Sequence, residues 1–303
     1  MGILPESVRD FIAGGIGGIC RIPPGHPFDT VKVNLQSSNK FRVGGDVANM
    51  RAAFSHIWRI DGVRGLYRGA QSPLAGMAFL NAVLYASGGV GARLVGGSEG
   101  LASQMTLTQY FYTGLFAGVW TSFAEGPVDF LKCQLQMRPD QYRGFFHCTA
   151  TIVRNHGFTG IFQGLVATNL RNVPAYGLFF ATYEGCRNYY EWKSIFAPDV
   201  VIGERRTMSL GETLLAGGIA GWAFWGPTYA IDVVKSAIQA DATAVADRKY
   251  SGTIDCFRKL HAEHGWAFAR KGFAPCMLRA FPANAAAWFG YEYGIKAMDL
   301  VGL

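Results

Sequence analysis

The chain has 303 residues, of which half are apolar and only 16% are charged, and its lysines and arginines exceed its acids by 28 to 21. Its 39 glycines and mean hydropathy of +0.14 are unusual for a membrane protein. No segment is an uninterrupted apolar run of about 18 residues or more, which argues against helices surrounded by lipid on all sides. The composition favours helices with one face toward lipid and one toward a polar cavity. A soluble helical repeat protein is disfavoured, since its glycine-rich apolar helices would have to pack in water.

One pattern of polar residues occurs three times along the chain. An acid is followed by a lysine three residues later and a glutamine seven residues later, at Asp29-Lys32-Gln36, Asp129-Lys132-Gln136 and Asp232-Lys235-Gln239. The acids are 100 and 103 residues apart. We therefore predict a single domain built from three repeats, residues 1–100, 101–203 and 204–303.

Two apolar segments in each repeat predict two long helices, joined by a loop with a short amphipathic helix. The first segment holds a Gly-xxx-Gly pair, typical of close helix packing in membranes, at Gly14/Gly18, Gly114/Gly118 and Gly217/Gly221. The second follows a loop glycine. We place the long helices near residues 9–36, 72–92, 107–137, 165–188, 209–240 and 274–297, with kinks expected at Pro27 and Pro127.

Basic residues predict the orientation of these helices. The loops after the first and fifth helices are rich in lysine and arginine, whereas the loop after the second has only Arg93. Positive charge marks the retained side, so both termini are expected on the opposite side. Met1 to Asp10 contains two acids and leads directly into the first helix, so no cleaved signal peptide is expected. The six cysteines lack metal-ligand or disulfide spacing and are expected to be reduced packing residues.

A known family signature is matched by this pattern. Pro27-Phe28-Asp29-Thr30-Val31-Lys32, followed by Asp61-Gly62 and Tyr67-Arg68-Gly69, resembles the mitochondrial carrier motif of Pro-x-acid-x-x-base, acid-Gly and aromatic-base-Gly. The resemblance covers the whole chain in three copies. It implies an all-α membrane protein with six tilted transmembrane helices around a central substrate cavity and short matrix helices. It also implies alternating access across the mitochondrial inner membrane, with both termini toward the intermembrane space.

Three segments are similar to one branch of that family. They are GHPFDTVKVNLQ from Gly25, LRNVPAYGLFFATYEG from Leu170 and LRAFPANAAAWFGYE from Leu278. They look like carriers of carnitine and acylcarnitine, and of ornithine and related basic amino acids. Trp225, seven residues before Asp232, is similar to a tryptophan of the same branch.

The repeated acids and lysines predict a ring of ion pairs, because charges at one level of a membrane bundle are costly unless paired. Threefold closure predicts the pairs Asp29 with Lys132, Asp129 with Lys235 and Asp232 with Lys32, at the matrix ends of the odd-numbered helices. The resemblance implies that Gln36, Gln136 and Gln239 brace these pairs. We interpret the set as a gate that substrate binding opens; the alternative is a permanent structural clamp.

The even-numbered helices carry equivalent positions seven residues after each loop glycine, at Gly76, Arg171 and Arg279. Repeat symmetry predicts that they face the axis at similar depth, and the resemblance makes them substrate contacts, with Asn172 beside Arg171. Arg279 is the preferred carboxylate ligand, because a guanidinium group binds a carboxylate through two hydrogen bonds. Gly76 would leave room for the rest of the ligand. The alternative is that the arginines extend to an interface.

Two further polar residues have open interpretations. His26 either lines the cavity or is a packing residue. Glu125 is an additional charge within a membrane helix, and it is either a contact for a substrate cation or a partner for Arg21.

Two loop-to-helix junctions, Tyr142-Arg143-Gly144 and Tyr250-Ser251-Gly252, resemble the family's lead into the matrix helix. Backbone N–H groups at a helix N-terminus attract phosphate, so cardiolipin is the expected ligand there. The lipid-binding glycines we predict are Gly69, Gly144, Gly164, Gly252 and Gly272. Without the resemblance these would be ordinary junctions.

The chain departs from the family pattern at several positions. Ala230 replaces the kink proline of the third repeat. At the opposite gate, Glu184 with Arg187 fits the expected acid and base, and Glu292 with Lys296 fits at one residue's offset. The second helix has Gly89 and Ala92 instead, so outward closure cannot depend on a complete ionic ring.

Asn172 stands where carriers of the similar branch have an acid. A neutral amide cannot offset the charge of a substrate cation. Either the substrate is anionic or neutral at that end, or Glu125 takes over, or the protein no longer transports.

These observations favour an inner-membrane transporter, working by exchange, for a small carboxylate-bearing metabolite such as carnitine, an acylcarnitine or an amino acid. The alternative is a degenerate carrier acting as a structural subunit of a respiratory or other inner-membrane complex. The sequence has no activated nucleophile, metal-ligand cluster or Gly-Lys-Ser/Thr phosphate loop. We therefore expect no enzyme activity and no cofactor or metal, and no nucleic-acid partner.

Overall fold

The computed structural model describes residues 6–37, 46–96, 105–138, 140–194, 209–270 and 272–301. Within these ranges the chain is helical and has no β-strand. The α-helices are α1 (Glu6–Cys20), α2 (Ile22–Ser37), α3 (Asp46–Leu66), α4 (Gln71–Gly96), α5 (Leu107–Met137), α6 (Phe145–His156), α7 (Leu165–Ser194), α8 (Leu210–Trp225), α9 (Tyr229–Ala240), α10 (Thr253–His264) and α11 (Phe273–Val301). Short 3₁₀-helices occupy Phe158–Phe162, Val245–Asp247 and Gly265–Arg270.

The long helices close into one bundle, as the three repeats predict. The first long helix is α1 followed by α2, and the fifth is α8 followed by α9; α4, α5, α7 and α11 are the other four. Each packs on the next in chain order, and α11 packs back on α1 and α2. At one end of the bundle α2, α5 and α9 also pack on one another. We call this the ring end, because the repeated acids and lysines lie there.

The helix interruptions differ from those predicted from proline. The first break is at Arg21, and Pro27 lies inside α2. Pro27 has no N–H for the Pro23 carbonyl, and the Tyr67 hydroxyl donates to that carbonyl at 2.8 Å instead, so the helix continues. Likewise α5 stays helical through Pro127, whereas the third repeat breaks at residues 226–228.

Each repeat has a small apolar core at the ring end, between the end of an odd-numbered long helix and the short helix that follows it. The cores contain Val31, Leu35, Ala53, Ile57 and Leu66 in the first repeat, Phe130, Leu131, Leu135, Cys148 and Ile152 in the second, and Val233, Val234, Cys256, Leu260 and Phe268 in the third. Burial raises the pKa of the Cys148 and Cys256 thiols to about 12, so neither is a ready nucleophile. These cores fix the helix ends that carry the charges.

The outer surfaces of the long helices are apolar. Large exposed side chains there include Trp120, Phe123, Val166, Leu170, Leu215 and Phe289. By mean hydropathy and charge content, no helix among the described residues qualifies as a membrane-spanning segment.

The Gly-xxx-Gly pairs were predicted to pack closely against a neighbouring helix. Among the glycines whose surroundings the structure describes, this is confirmed for the pair of the second repeat and for no other. A Cβ added at Gly118 would lie 2.8 Å from the Asn172 carbonyl oxygen, so glycine permits the close contact of α5 with α7. Gly14, Gly217 and Gly221 have open space instead. The predicted close-packing role is wrong for those three, because their helices turn other residues toward the neighbouring helix.

Candidate functional site

Three ion pairs join the repeats at the ring end. The Nζ–Oδ2 distances are 2.7 Å for Lys32 and Asp232, 2.6 Å for Lys132 and Asp29, and 2.5 Å for Lys235 and Asp129. These are the pairs predicted from threefold closure. Their charged groups are largely buried, and the Lys235 side chain is only 3% exposed. We call this set the ion-pair ring.

The loop glycines pack closely against the neighbouring repeat, in or beside the ion-pair ring. Gly69, Gly164 and Gly272 have φ values of +83°, +83° and +77°, in the left-handed region that side chains disfavour. A Cβ at Gly69 would lie 3.1 Å from the Lys132 carbonyl oxygen, and one at Gly272 would lie 3.3 Å from Lys32 Cγ. The structure therefore gives these glycines a packing role, independent of the lipid contacts predicted for them.

Two of the three glutamines of the repeat pattern have described side chains, and both donate to groups other than the ion pairs. Gln136 Nε2 donates to the Thr30 hydroxyl at 3.0 Å, and Gln239 Nε2 donates to the Gly126 carbonyl at 3.5 Å. The prediction that these two brace the charged pairs is therefore wrong in its contacts, because their amides reach groups of the neighbouring repeat instead. The side chain of Gln36 lies outside the described part of the structure.

Glu125 is held by residues from two repeats. Its carboxylate accepts hydrogen bonds from Arg171 Nη2 at 2.8 Å and Asn172 Nδ2 at 2.7 Å, and Lys235 Nζ lies 3.7 Å away. Arg171 also lies 3.8 Å from both Asp129 and Asp232. Of the predicted alternatives for Glu125, a pair with Arg21 is wrong, because Arg171 and Asn172 on the adjacent α7 are closer.

Arg279 extends from α11 to the ion-pair ring. Its Nη1 donates to Asp29 Oδ1 at 2.8 Å, so Asp29 is shared between Arg279 and Lys132. Trp225 lies beneath this region: its ring centroid is 4.3 Å from Lys32 Nζ, 5.1 Å from Arg171 Cζ and 5.8 Å from Arg279 Cζ. Arg171 and Arg279 both face the interior of the bundle. The alternative prediction, that they extend to a membrane interface, is therefore wrong.

Gly76 does not provide open space for a ligand. A Cβ at this position would lie 2.8 Å from Val128 Cγ2, so the predicted role is wrong, because α4 packs closely on α5 here. His26 is a packing residue rather than a cavity residue. It is 2% exposed, its Nε2 lies 3.0 Å from the Arg68 carbonyl, and its ring stacks on Tyr67.

The opposite end of the bundle has a different set of charges. Arg187 contacts Glu184 at 3.4 Å and Glu191 at 3.3 Å, both on its own helix α7. Arg9 and Asp299 pair where α1 and α11 are neighbours. Lys296 is exposed, and the side chain of Glu292 lies outside the described part. The described ion pairs at this end therefore do not form a second ring among α4, α7 and α11.

Two contacts between repeats were missed because they involve departures from the family pattern. Gln163 stands where a base is expected, and its Nε2 donates to the Ile238 carbonyl at 2.8 Å and the Ala242 carbonyl at 3.2 Å. Gln134 Nε2 donates to the Gln239 and Asp241 carbonyls at 2.8 Å and 2.9 Å. Both amides donate to carbonyls at or just after the C-terminal end of α9, where the last carbonyls of a helix have no partner within the helix.

The junction glycines predicted to bind lipid precede the short helices. Gly144 and Gly252 are the N-caps of α6 and α10. In α10 the Ser251 N–H already donates to the Asp255 carboxylate at 2.9 Å, and hydrogen bonds from Lys259 and Ser251 lower the pKa of that carboxyl. One donor of this junction is therefore satisfied within the chain.

Three helical repeats closed at one end by inter-repeat ion pairs define a membrane carrier with threefold pseudo-symmetry. The chain belongs to the mitochondrial carrier protein family, whose sequence model matches residues 5–94, 103–194 and 206–299.

Relatives of known type support this assignment across nearly the full length. The mitochondrial basic amino acids transporter of Bos taurus is 37% identical over 91% of this chain and 88% of its own. The mitochondrial carnitine/acylcarnitine carrier protein of Macaca fascicularis is 34% identical over 96% of this chain and 95% of its own. Solute carrier family 25 member 45 of Mus musculus is 34% identical over 95% of this chain and 98% of its own.

The family and its relatives establish the general activity. The protein is a solute transporter of the mitochondrial inner membrane that binds a small-molecule substrate. At the family level these proteins transport rather than catalyse. Nothing in the comparisons supports the alternative of a structural subunit.

Proposed function

We propose that the protein exchanges a carboxylate-bearing metabolite by alternating access, and that the ion-pair ring is its matrix-side gate. The termini then face the intermembrane space. The observation that carries this proposal is a contrast between the two ends of the bundle. Three ion pairs join all three repeats at the ring end, whereas at the opposite end Arg187 pairs within its own helix and Arg9 with Asp299 joins only α1 to α11. A bundle with this distribution of charges is closed on the ring side.

The shared carboxylate of Asp29 links substrate binding to the gate. Arg279 and Lys132 both contact it, at 2.8 Å and 2.6 Å. A substrate carboxylate that binds Arg279 competes with Asp29 for the guanidinium group. One unit-charge pair contributes about 4 kcal/mol at a separation near 4 Å and an effective dielectric near 20, before desolvation. Loss of one such contact from Asp29 would shift the balance toward an open gate.

The relatives narrow the chemistry of the substrate. One is named for basic amino acids and another for carnitine and acylcarnitine. A carboxylate is common to all of these compounds, and it matches the arginine of α11. We therefore propose a carboxylate-bearing metabolite of similar size for this chain.

Cardiolipin is proposed as the lipid at the junctions before α6 and α10, where Gly144 and Gly252 precede helix N-termini. Gly69, Gly164 and Gly272 complete the proposed set. Removal of cardiolipin from the purified protein is then expected to lower its melting temperature, and added cardiolipin to restore it. Restoration by an uncharged lipid to the same extent would contradict this assignment.

The experiment for the transport proposal is uptake into proteoliposomes, together with thermal shift, against carnitine, acylcarnitines, amino acids and small carboxylates. Arg279→Ala should abolish uptake of the best substrate. Arg279→Lys should be nearly as damaging, because a lysine ammonium group cannot make the two parallel hydrogen bonds that a guanidinium group makes to a carboxylate. Arg93→Ala, which removes an exposed arginine of α4 that no proposed site includes, is the matched control and should retain most activity.

Wild-type uptake in Arg279→Ala would remove Arg279 from the site. If no compound gave a thermal shift or exchange, and the protein co-purified stoichiometrically with a respiratory complex, the structural-subunit alternative would replace the proposal.

A further inference from the structure

Positive charge is in excess among the described ionisable groups inside the bundle near the ion-pair ring. Arg171 has Glu125, Lys235 has Asp129 and Lys32 has Asp232 as carboxylate partners. The three remaining cations of this group are Arg21, Lys132 and Arg279, and the carboxylate near them is Asp29, which pairs with Lys132 and Arg279. Among these described groups, two positive charges are therefore left uncompensated.

Arg21 is the cation that lacks a direct partner among the described residues. It lies at the break between α1 and α2, and it forms no ion pair or side-chain hydrogen bond with any residue that the structure describes. It is near enough to Arg279 and Asp29, and to Tyr176 on α7 across the bundle, to interact with them electrostatically.

Backbone geometry brings Arg21 and Arg279 together. The Gly25 N–H donates to the Arg21 carbonyl at 3.2 Å, so the two residues are one helical turn apart. A Cβ at Gly25 would lie 3.7 Å from Arg279 Cγ and 3.8 Å from Arg279 Cδ. The stem of Arg279 thus runs along the first turn of α2, next to Arg21. Two guanidinium groups in this arrangement repel each other unless an anion lies between them.

We propose that Arg21 and Arg279 form a two-arginine anion site, and that this site makes the carrier prefer ligands of net negative charge. The inference rests on the proposed transport function and adds the charge class of its substrate. Glu125 already accepts from Arg171 and Asn172, so it offers little to a ligand cation. Of the alternatives raised by Asn172, the structure favours a substrate that is anionic or neutral at that end.

The test is competition between ligands of one carbon-chain length and different charge: glutarate, glutamate, glutamine and ornithine. Proteoliposomes containing the full-length protein are expected to take up glutarate and glutamate faster than glutamine, and ornithine least. Arg21→Gln should lower uptake of the anions about tenfold to a hundredfold, as expected for loss of a charge-assisted hydrogen-bonding group. It should leave glutamine uptake nearly unchanged. Anion uptake by the Arg21→Lys variant should lie between that of the wild type and that of Arg21→Gln.

The matched control is Arg93→Gln, which removes one exposed positive charge from α4 outside the cavity. A second readout excludes a purely structural role. Without ligand, Arg21→Gln should melt at the same temperature as the wild type or higher, because it removes an unpaired cation next to Arg279. A structural arginine would lower the melting temperature when replaced.

The outcomes separate the two proposals. Uptake of none of these ligands or of the wider panel, with no thermal shift, would overturn the transport proposal and the anion site with it. Uptake in Arg21→Gln equal to that in Arg93→Gln, or a wild-type preference for ornithine, would overturn the anion site alone.

Discussion

The two ends of the bundle differ in how charge is used. At the ring end, each lysine of the ion-pair ring contacts an aspartate of another repeat, and Arg171 and Arg279 add further bonds. At the opposite end, Arg187 contacts acids of its own helix, and the described pair between repeats is that of Arg9 with Asp299. Ion pairs between repeats hold helices together, whereas pairs within a helix do not. The comparison shows that the described ion pairs between repeats are concentrated at the ring end.

Arginine replacement on α7 is expected to show the largest difference between the ends. Arg171→Met removes the main partner of Glu125 and leaves a buried carboxylate under-compensated, which should cost about 3–5 kcal/mol of unfolding free energy. Arg187→Met changes the same residue type on the same helix, and should cost less than about 1 kcal/mol. Chemical unfolding in detergent measures both. Equal losses would contradict the comparison.

Asn172→Asp is expected to have the next largest effect. The amide of Asn172 donates to Glu125 at 2.7 Å, and it is fully buried. A carboxylate there would remove the donor and place like charges together, at a cost of about 2–3 kcal/mol of unfolding free energy. Adding Glu125→Gln should restore much of the loss, because the new amide can donate to the carboxylate introduced on α7. No rescue in the double variant would show that Glu125 is not the cause.

A glycine pair provides a smaller test. Gly69→Ala introduces a side chain at φ +83°, next to the Lys132 carbonyl. It should lower the unfolding free energy by about 1–2 kcal/mol. Gly89 lies inside α4, and a Cβ added there would have open space around it. Gly89→Ala should therefore raise the unfolding free energy by about 0.5–1 kcal/mol. Thermal melting of both variants gives the comparison. A stabilising Gly69→Ala would refute the packing role of that glycine.

The fold and the partners in the ion-pair ring could be predicted because repeat spacing carries both. Three equivalent acids and lysines at one level leave threefold closure as the way to pair them. The contacts of Arg171 could not be predicted in this way, since Glu125 lies 46 residues away on another helix and has no counterpart in the repeat pattern. Gly76 was misassigned for a similar reason: symmetry gives its depth, but only the packing of α4 on α5 shows Val128 against it.

Departures from a family pattern were the hardest residues to interpret. Gln163 and Gln134 each donate to two carbonyls of the third repeat, although a sequence pattern shows no partner for either. Asn172 was recognised as a lost acid, and the structure shows it donating to Glu125 on the neighbouring helix. A sequence pattern records which group is absent, whereas the new partner depends on side-chain geometry between helices.

The most direct test of the central claim is a pair of double-mutant cycles on unfolding free energy. One cycle uses Asp29→Asn with Lys132→Gln, and the other uses Glu184→Gln with Arg187→Gln. We predict a coupling of about 1.5 kcal/mol or more for the first pair, and about 0.2–0.5 kcal/mol for the second, as for pairs within one helix. Couplings of equal size, or a first coupling indistinguishable from zero, would contradict the claim that closure is concentrated in the ion-pair ring.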